Sequence, residues 1–190
     1  MEKFNMGMSF YTIDTSYIEK LYNTDSEVYF SKKNYDNKPY VGVIIANGAY
    51  NYFIPLTSAK AKHLKLPNVS KGHYIVYEAV SMQEIHKEWI YSPMGNGYVR
   101  HILGMLDIRK MVPAPMSKCT RIEFSQIADP AYKALLLKEY NFLRPLFTEI
   151  TRKANAVYTA QKTSGKVFPF YCNFTKLEKI CDSESAVTNS

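Results

Sequence analysis

The chain has 190 residues, with 24 lysines and arginines against 17 aspartates and glutamates, so its formal net charge is +7. A hydrophobic fraction of 46% and a charged fraction of 22% exclude disordered and fibrous proteins. All apolar runs are far shorter than the roughly 18 residues that a membrane-spanning helix needs. The excess of positive charge points to a polyanionic partner.

The length predicts one domain over residues 1–182, followed by a polar tail over residues 183–190. The first eight residues lack the apolar core of a secretory signal, which predicts a cytoplasmic protein. Three cysteines, Cys119, Cys172 and Cys181, are odd in number and irregularly spaced. We therefore expect reduced thiols that pack as small hydrophobic side chains.

The chain begins with a predicted strand and helix. Residues 8–14 are β-branched and aromatic, as is typical of a strand. Ser16-x-x-Glu19 is a capping-box pattern that predicts the start of a short helix. The polar residues 24–39 then predict a long exposed loop.

A hairpin is the next predicted element. Two apolar stretches, 40–46 and 49–55, flank Asn47-Gly48, a dipeptide that tolerates positive φ at both turn positions. The second strand should end near Pro55, and a short helical turn through residues 62–64 is expected to follow.

The middle of the chain predicts further strands. Residues 82–91 are predicted as a short helix and residues 92–98 as a turn-rich connection. The predicted strands are 73–80, 100–108, 111–113 and 119–124.

The last third predicts helices. Asp129 precedes Pro130 as a helix cap, and apolar residues recur at helical spacing after it. Pro145 should break this helix near residue 144, with a second helix over residues 146–161 and a last short one that opens at Thr175. Strands followed by helices predict an α+β fold built as a compact single domain.

Motifs exclude several chemistries. The four histidines show none of the spacings typical of metal ligands and have no cysteine nearby, so no metal site is expected. The sequence has no G-x-x-x-x-G-K-[ST] or G-x-G-x-x-G loop, so no cofactor is expected. No G-x-S-x-G motif supports a serine hydrolase.

What remains is a set of hydroxyls and cations: Lys38, Thr57, Ser58, Lys60 and His63. They lie in residues 31–77, which contain seven lysines and a single acid, so most of the net charge is there. Such side chains suit phosphate chemistry, since cleavage of RNA by the ribose 2′-hydroxyl needs alignment and charge neutralisation but no metal. They could equally hold phosphate without cutting it, as in a basic RNA-binding module.

Several segments carry a resemblance to a known family. They include Phe10-Tyr-Thr-Ile-Asp with Tyr17-Ile18, Lys38-Pro-Tyr-Val-Gly42, and Tyr52-Phe-Ile-Pro-Leu-Thr-Ser-Ala-Lys60 with His63. Residues 107–113, 132–143 and 172–174 also fit, in the same order. The sequence resembles the ToxN/AbiQ family, endoribonuclease toxins of type III toxin–antitoxin and phage abortive-infection systems.

The resemblance implies a strongly twisted antiparallel sheet surrounded by helices, similar to the Kid/MazF-type toxins. It implies metal-independent cleavage of A-rich cellular or phage RNA, which leaves a 2′,3′-cyclic phosphate and a 5′-hydroxyl. The implied partner is a small antitoxin RNA of tandem repeats folded as a pseudoknot, which joins the toxin in a closed hetero-oligomer. The protein alone is then expected as a monomer.

The resemblance also implies site residues. Thr57, Ser58 and Lys60 match the family's active-site segment, Lys38 its upstream lysine and Tyr17 an active-site tyrosine. The two lysines would steady the scissile phosphate, and the hydroxyls would donate hydrogen bonds to its oxygens. Tyr17 or Tyr35 would position a base or ribose.

The expected RNA contacts are a loop tyrosine and the basic side chains of the lysine-rich stretch: Tyr35, Lys32, Lys33, Lys62, His63, Lys65 and Lys71. Tyr35 lies one position from the place of a family tyrosine. Residues 81–100 look longer than the family core, which suggests a member-specific insertion.

Overall fold

One antiparallel sheet forms the core of the computed structural model, which describes residues 7–31, 38–46 and 50–188. The strands run in the order β4-β6-β3-β2-β1-β8, with β5 paired to β6 and β7 paired to β3. Their bounds are β1 Ser9–Ile13, β2 Tyr40–Ala46, β3 Tyr50–Ser58, β4 His73–Ser81, β5 Tyr91–Gly95, β6 Tyr98–Asp107, β7 Val112–Pro113 and β8 Cys119–Arg121. Helices accompany this sheet, so the predicted α+β class is confirmed.

The hairpin of β2 and β3 positions the candidate site. The two strands pair antiparallel as predicted, and the turn residues 47–49 lie outside the described part of the chain. β3 continues past Pro55 to Ser58, because its last residues pair with β6. The carbonyl of Pro39 accepts the Leu56 N–H at 2.9 Å, so Lys38 lies beside the end of β3.

Local sequence signals set the ends of the helices. The Asp129 carboxylate accepts the N–H groups of Ala131 and Tyr132, as expected of a helix cap. Pro145 lies in a 3-10 turn between the second and third helices, and Gly165 ends the third at φ 65°. The helices are α1 Thr15–Thr24, α2 Pro130–Leu143, α3 Phe147–Ser164 and α4 Phe174–Thr188.

Two predicted helix boundaries are wrong. Asp14 caps α1 through a hydrogen bond from the Tyr17 N–H, so the helix begins at Thr15 rather than after Ser16. The polar tail predicted over residues 183–190 is part of helix α4 as far as residue 188, because α4 packs against α1 and Glu184 pairs with Lys20.

The predicted helix over residues 82–91 is also wrong. Only a 3-10 turn, Met82–Glu84, is present, and strand β5 begins at Tyr91. β5 pairs with β6 through Tyr91 and His101, so pairing with a distant partner decides the structure here. The turn between them, Gly95-Asn96-Gly97, has positive φ at all three residues.

Tyrosines contribute much of the core. Tyr17, Tyr40, Tyr52 and Tyr74 are almost fully buried. The hydroxyls of Tyr52 and Tyr158 both donate to the buried Glu178 carboxylate, at 3.0 and 2.8 Å. These two phenol hydroxyls therefore each have a hydrogen-bond partner, as polar groups in a core require.

All three cysteines have free thiols, and two of them, Cys172 and Cys181, are buried, in agreement with the expected hydrophobic role. Within the described residues, no helix is long and apolar enough to cross a bilayer.

Candidate active site

The predicted hydroxyls lie where β3 ends against β6. Thr57 pairs with Met105, and Ser58 pairs with Gly104. Successive strand residues point to opposite faces, so the two hydroxyls leave the sheet on opposite sides. Thr57 is buried and its hydroxyl donates to the Met105 carbonyl at 3.3 Å. The Thr57 hydroxyl therefore donates its hydrogen bond within the sheet, whereas the sequence predicts a hydrogen bond from this hydroxyl to phosphate.

Ser58 is exposed, and no hydrogen bond joins its hydroxyl to another described residue. This hydroxyl remains available to a ligand.

Lys38 lies over an aromatic ring that the sequence does not single out. Its Nζ is 5.0 Å from the centroid of the Tyr29 ring, and the Tyr29 hydroxyl donates to Asp107 Oδ2 at 2.8 Å. The wholly buried Asp107 also accepts from Nε and Nη2 of Arg109, at 2.8 Å each. This set of hydrogen bonds fixes the ring beneath the lysine.

The amine of Lys38 has an unusual protonation equilibrium. Burial and the positive charge of Lys60 lower its pKa to about 8, against an opposing effect of Asp107. Among the described residues, no carboxylate lies within ion-pairing distance of its Nζ. A fraction of Lys38 is therefore neutral near physiological pH, which an ordinary lysine is not.

Lys60 is exposed at the start of a 3-10 turn, Ala61–Lys65, and His63 in that turn fixes its backbone. The Lys60 N–H donates to His63 Nδ1 at 3.2 Å. Because Nδ1 is the acceptor, the neutral ring carries its proton on Nε2. Burial, followed by the charges of Lys62 and Lys60, lowers the pKa of His63 and favours this neutral form.

His63 is fully buried, and its Nε2 has no hydrogen-bond partner among the described residues. The predicted direct contact of His63 with RNA is therefore wrong for this structure, since solvent does not reach the ring. The residue instead positions the backbone of Lys60.

The catalytic role predicted for Tyr17 also disagrees with the structure. The side chain is fully buried, and its hydroxyl donates to the Pro113 carbonyl at 2.8 Å. Burial raises the pKa of this phenol well above its ordinary value. The prediction of a catalytic tyrosine that touches RNA is wrong here, because the phenol belongs to the core.

Of the predicted RNA contacts, Lys62, Lys65 and Lys71 are exposed. Lys32, Lys33 and Tyr35 lie outside the described residues.

Sequence reasoning missed Tyr29, Asp107 and Arg109. Asp107 and Arg109 lie in the segment 107–113 that carries the family resemblance, so that match was a usable signal. Tyr29 lies in a polar loop without any distinguishing pattern, and only the fold brings it to Asp107, 78 residues away along the chain.

A buried carboxyl lies on the Ser58 face of the sheet. A Cβ atom added to Gly104 would lie 2.6 Å from the Thr57 carbonyl oxygen and 2.8 Å from Oε1 of Glu139 in α2. Glycine is therefore required at this position. Burial raises the pKa of Glu139 to about 8, which favours its protonated form at neutral pH.

Within the described ranges, no three side chains of the types His, Cys, Asp and Glu form a group that could hold a metal ion. The polar groups near Lys38 are instead lysines, hydroxyls and a carboxylate already engaged by Arg109 and Tyr29.

Comparison with known proteins identifies the family. The model of the family described as toxin ToxN of type III toxin–antitoxin systems matches residues 9–182. This chain belongs to the ToxN toxin family. The match includes every described site residue, from Tyr29 to Glu139.

Curated relatives agree with this assignment. The chain is 30% identical over 181 residues to the endoribonuclease ToxN of Bacillus thuringiensis subsp. kurstaki, with 90% of this chain and 81% of the relative covered. It is 26% identical to the endoribonuclease ToxN of Pectobacterium atrosepticum, with 90% and 91% covered. The endoribonuclease AbiQ of Lactococcus lactis subsp. lactis is 26% identical, with 93% and 89% covered.

Solved structures of ToxN relatives share the fold. A type III toxin that is selectively inhibited by a non-coding RNA pseudoknot superposes with a TM-score of 0.71 at 30% identity, covering 94% of this chain and 98% of that one. The structure of an antiviral system regulated by a processed non-coding RNA gives a TM-score of 0.67 at 25% identity, with 90% and 95% covered.

Proposed function

We propose that this ToxN family member is an endoribonuclease that cleaves RNA by attack of the ribose 2′-hydroxyl on the adjacent phosphate, without a metal. The observation that carries the proposal is the lowered pKa of Lys38, about 8, beside Lys60 and near the exposed end of β3. A lysine that is partly neutral can accept a proton, whereas a lysine that only binds phosphate gains nothing from this. Relatives named as endoribonucleases support the same reaction class.

Lys38 is the proposed general base. Its neutral amine takes the proton of the 2′-hydroxyl as the 2′-oxygen forms a bond to phosphorus. The bond between phosphorus and the 5′-oxygen breaks, and the leaving oxygen takes a proton from water. The products are a 2′,3′-cyclic phosphate and a 5′-hydroxyl, with no change in oxidation state.

Lys60 and Ser58 stabilise the charge of the transition state. The exposed Lys60 ammonium neutralises charge on the non-bridging oxygens, and the Ser58 hydroxyl donates a hydrogen bond to one of them. Thr57 and His63 act as positioning residues, because Thr57 ties β3 to β6 and His63 holds the Lys60 backbone.

The proposed partner is a repeat-derived antitoxin RNA folded as a pseudoknot. In support, a non-coding RNA pseudoknot selectively inhibits the type III toxin that superposes with a TM-score of 0.71. The exposed Lys62, Lys65 and Lys71 would bind its phosphates. We propose A-rich cellular or phage RNA as substrate, the cytoplasm as location, and a closed toxin–RNA assembly as the inhibited state. Growth arrest and phage defence follow from release of the toxin.

Induced expression in bacteria, followed by mapping of RNA ends, tests this proposal. Wild type should arrest growth and generate 5′-hydroxyl ends, and Lys38→Ala or Lys60→Ala should do neither. Lys87→Ala is the matched control, since Lys87 is an exposed lysine outside the site. EDTA should leave cleavage by purified protein intact.

A wild type that binds RNA without producing 5′-hydroxyl ends would establish the rival function, a non-catalytic RNA-binding module. Loss of cleavage in EDTA that added metal restores would refute the metal-independent mechanism.

A further inference from the structure

The segment between α3 and α4 ends in an exposed aromatic turn, residues 167–171, which we call the aromatic turn. Val167, Phe168 and Phe170 are 43%, 37% and 71% exposed. Phe170 also has a φ of 67°, in the left-handed region that residues with a Cβ atom adopt only at an energetic cost.

Folding does not explain this strain. A ring that is 71% exposed gains little hydrophobic stabilisation, whereas Phe10 and Phe53 are almost fully buried in the core. Strained backbone combined with a solvent-exposed ring is characteristic of functional sites, where surrounding contacts maintain the conformation.

Hydrogen bonds maintain the aromatic turn. The Tyr171 N–H donates to the Phe168 carbonyl at 3.1 Å, which closes the turn. The Cys172 N–H donates to the Arg109 carbonyl at 2.9 Å, and the Cys172 carbonyl accepts from Nε2 of Gln161 at 3.0 Å. Phe170 is therefore presented on an anchored segment, and a ligand pays little entropy to meet it.

The aromatic turn adjoins the candidate active site. A Cβ atom on Gly72 would lie 2.6 Å from Cγ of Arg109 and 3.0 Å from the Tyr171 hydroxyl, so these three residues pack together. Arg109 in turn binds Asp107, which holds the Tyr29 ring beneath the catalytic lysine. Contacts are thus continuous from the aromatic turn to the site.

The charge around the aromatic turn suits a polyanion. Residues 162–174 contain no acid and two lysines, of which Lys162 is paired with Glu178. The Asp25 carboxylate that reaches this segment accepts the Asn173 N–H. Lys166 and Lys71 are both exposed, and Lys71 adjoins Gly72. The nearby carboxylate of Asp107 is neutralised by Arg109.

We propose that the aromatic turn is a stacking platform for an unpaired base of the RNA that occupies the active site, with Phe170 as the stacking ring. Exposed aromatic rings among cations bind single strands in this way, because every base offers a face to stack on. Lys71 and Lys166 would meet the phosphates on either side. The inference rests on the proposed function only for the identity of the ligand as RNA.

Binding of an A-rich single-stranded RNA with 2′-O-methyl riboses tests the platform, since this probe cannot be cleaved. Phe170→Ala should weaken binding roughly tenfold, as loss of one stacked base implies. Phe170→Gly should weaken binding equally while its Tm stays equal to wild type or rises, because glycine tolerates positive φ. Phe170→Trp should retain affinity, and RNA should quench the fluorescence of the new indole.

The matched control is Tyr98→Ala, because Tyr98 is 51% exposed at the other end of β6 from Asp107. It should bind RNA as wild type does. Wild-type affinity in both Phe170→Ala and Phe170→Gly would overturn the inference, as would equal losses in the control.

Failure of the two proposals is distinguishable. If wild type cleaves RNA and the Phe170 variants bind normally, the platform is wrong and the enzyme stands. If wild type does not cleave but Phe170→Gly loses affinity without losing stability, the enzymatic proposal is wrong and the platform stands.

Discussion

The Nζ atom of Lys38 lies 5.0 Å from the centre of the Tyr29 ring. A cation gains attraction from a ring in this position, so the ring holds the amine in place. Burial and Lys60 act in the opposite direction and lower the pKa of the same amine. The ring therefore holds the charged amine in place, whereas burial and Lys60 favour its neutral form.

The pH dependence of cleavage should follow the protonation of the Lys38 amine. Because the base acts in its neutral form, the single-turnover rate should rise with pH and level off above its pKa of about 8. Lys60→Met removes a neighbouring positive charge and should raise the pKa of Lys38. The rising part of the pH–rate profile should therefore move to higher pH, and the rate should also decrease. A profile that stays flat between about pH 6 and about pH 9 would contradict the role of Lys38.

His63 should contribute a pH-dependent part of the stability. Its pKa in the folded chain is below the ordinary 6.5, so the unfolded chain binds more protons at acidic pH. The contribution of His63 to the free energy of unfolding should therefore be fully present above about pH 6.5, and it should decrease as the pH falls below that value. His63→Gln should reduce that fall in a series of thermal melts. An unchanged pH dependence in this variant would show that the ring is not held neutral.

Glu139→Gln should stabilise the protein at neutral and alkaline pH. The carboxyl has its pKa raised from 4.5 to about 8, so the folded chain binds more protons than the unfolded chain between these values. Wild-type stability is therefore lost as the pH rises from about 4.5 to about 8, by on the order of 3 kcal/mol at pH 7. Urea unfolding of both proteins at several pH values measures this. The variant should have no advantage near pH 4.5.

Tyr17→Phe separates a structural role from a catalytic one. It removes a buried hydroxyl that donates to the Pro113 carbonyl, so the free energy of unfolding should fall by about 1 kcal/mol. The kcat of the folded variant should equal that of wild type, because the phenol is out of reach of RNA. A large loss of kcat without a loss of stability would return Tyr17 to the active site.

The salt dependence of RNA binding should show which lysines bind phosphate. Affinity for the antitoxin RNA should decrease with salt, by a slope of about 0.7 in log–log terms for each phosphate neutralised on a single strand. Lys62→Ala, Lys65→Ala and Lys71→Ala should each make the slope less steep by about that amount. Lys87→Ala, which alters an exposed lysine elsewhere, should leave the slope unchanged.

Two helix boundaries that depend on local chemistry were predictable, whereas the local cap Asp14 of α1 was not recognised. Asp129 at a cap and Pro145 at a break each act within a few residues. The hairpin strand that begins at Tyr91 and the helical turn that contains Glu184 were not predictable, because each depends on a distant partner. For Tyr91 the partner is on β6, and for Glu184 it is on α1.

The site was only partly predictable for the same reason. Lys38 and Lys60 could be proposed from motifs, and the structure adds the lowered pKa that makes Lys38 a candidate base. Tyr17 and His63 have the right chemistry for a site, but burial excludes both from contact with RNA. Burial is a property of the packed chain that the spacing of residues along it does not contain.

The β5–β6 hairpin turn offers a convenient attachment point for a probe. Asn96 is exposed, and strand β6 extends about 30 Å from there to Asp107. Alkylation requires the thiolate, and burial raises the pKa of Cys119 to about 12 and those of Cys172 and Cys181 above their ordinary value. A dye added to Asn96→Cys would therefore label one position selectively and follow RNA docking from outside the site.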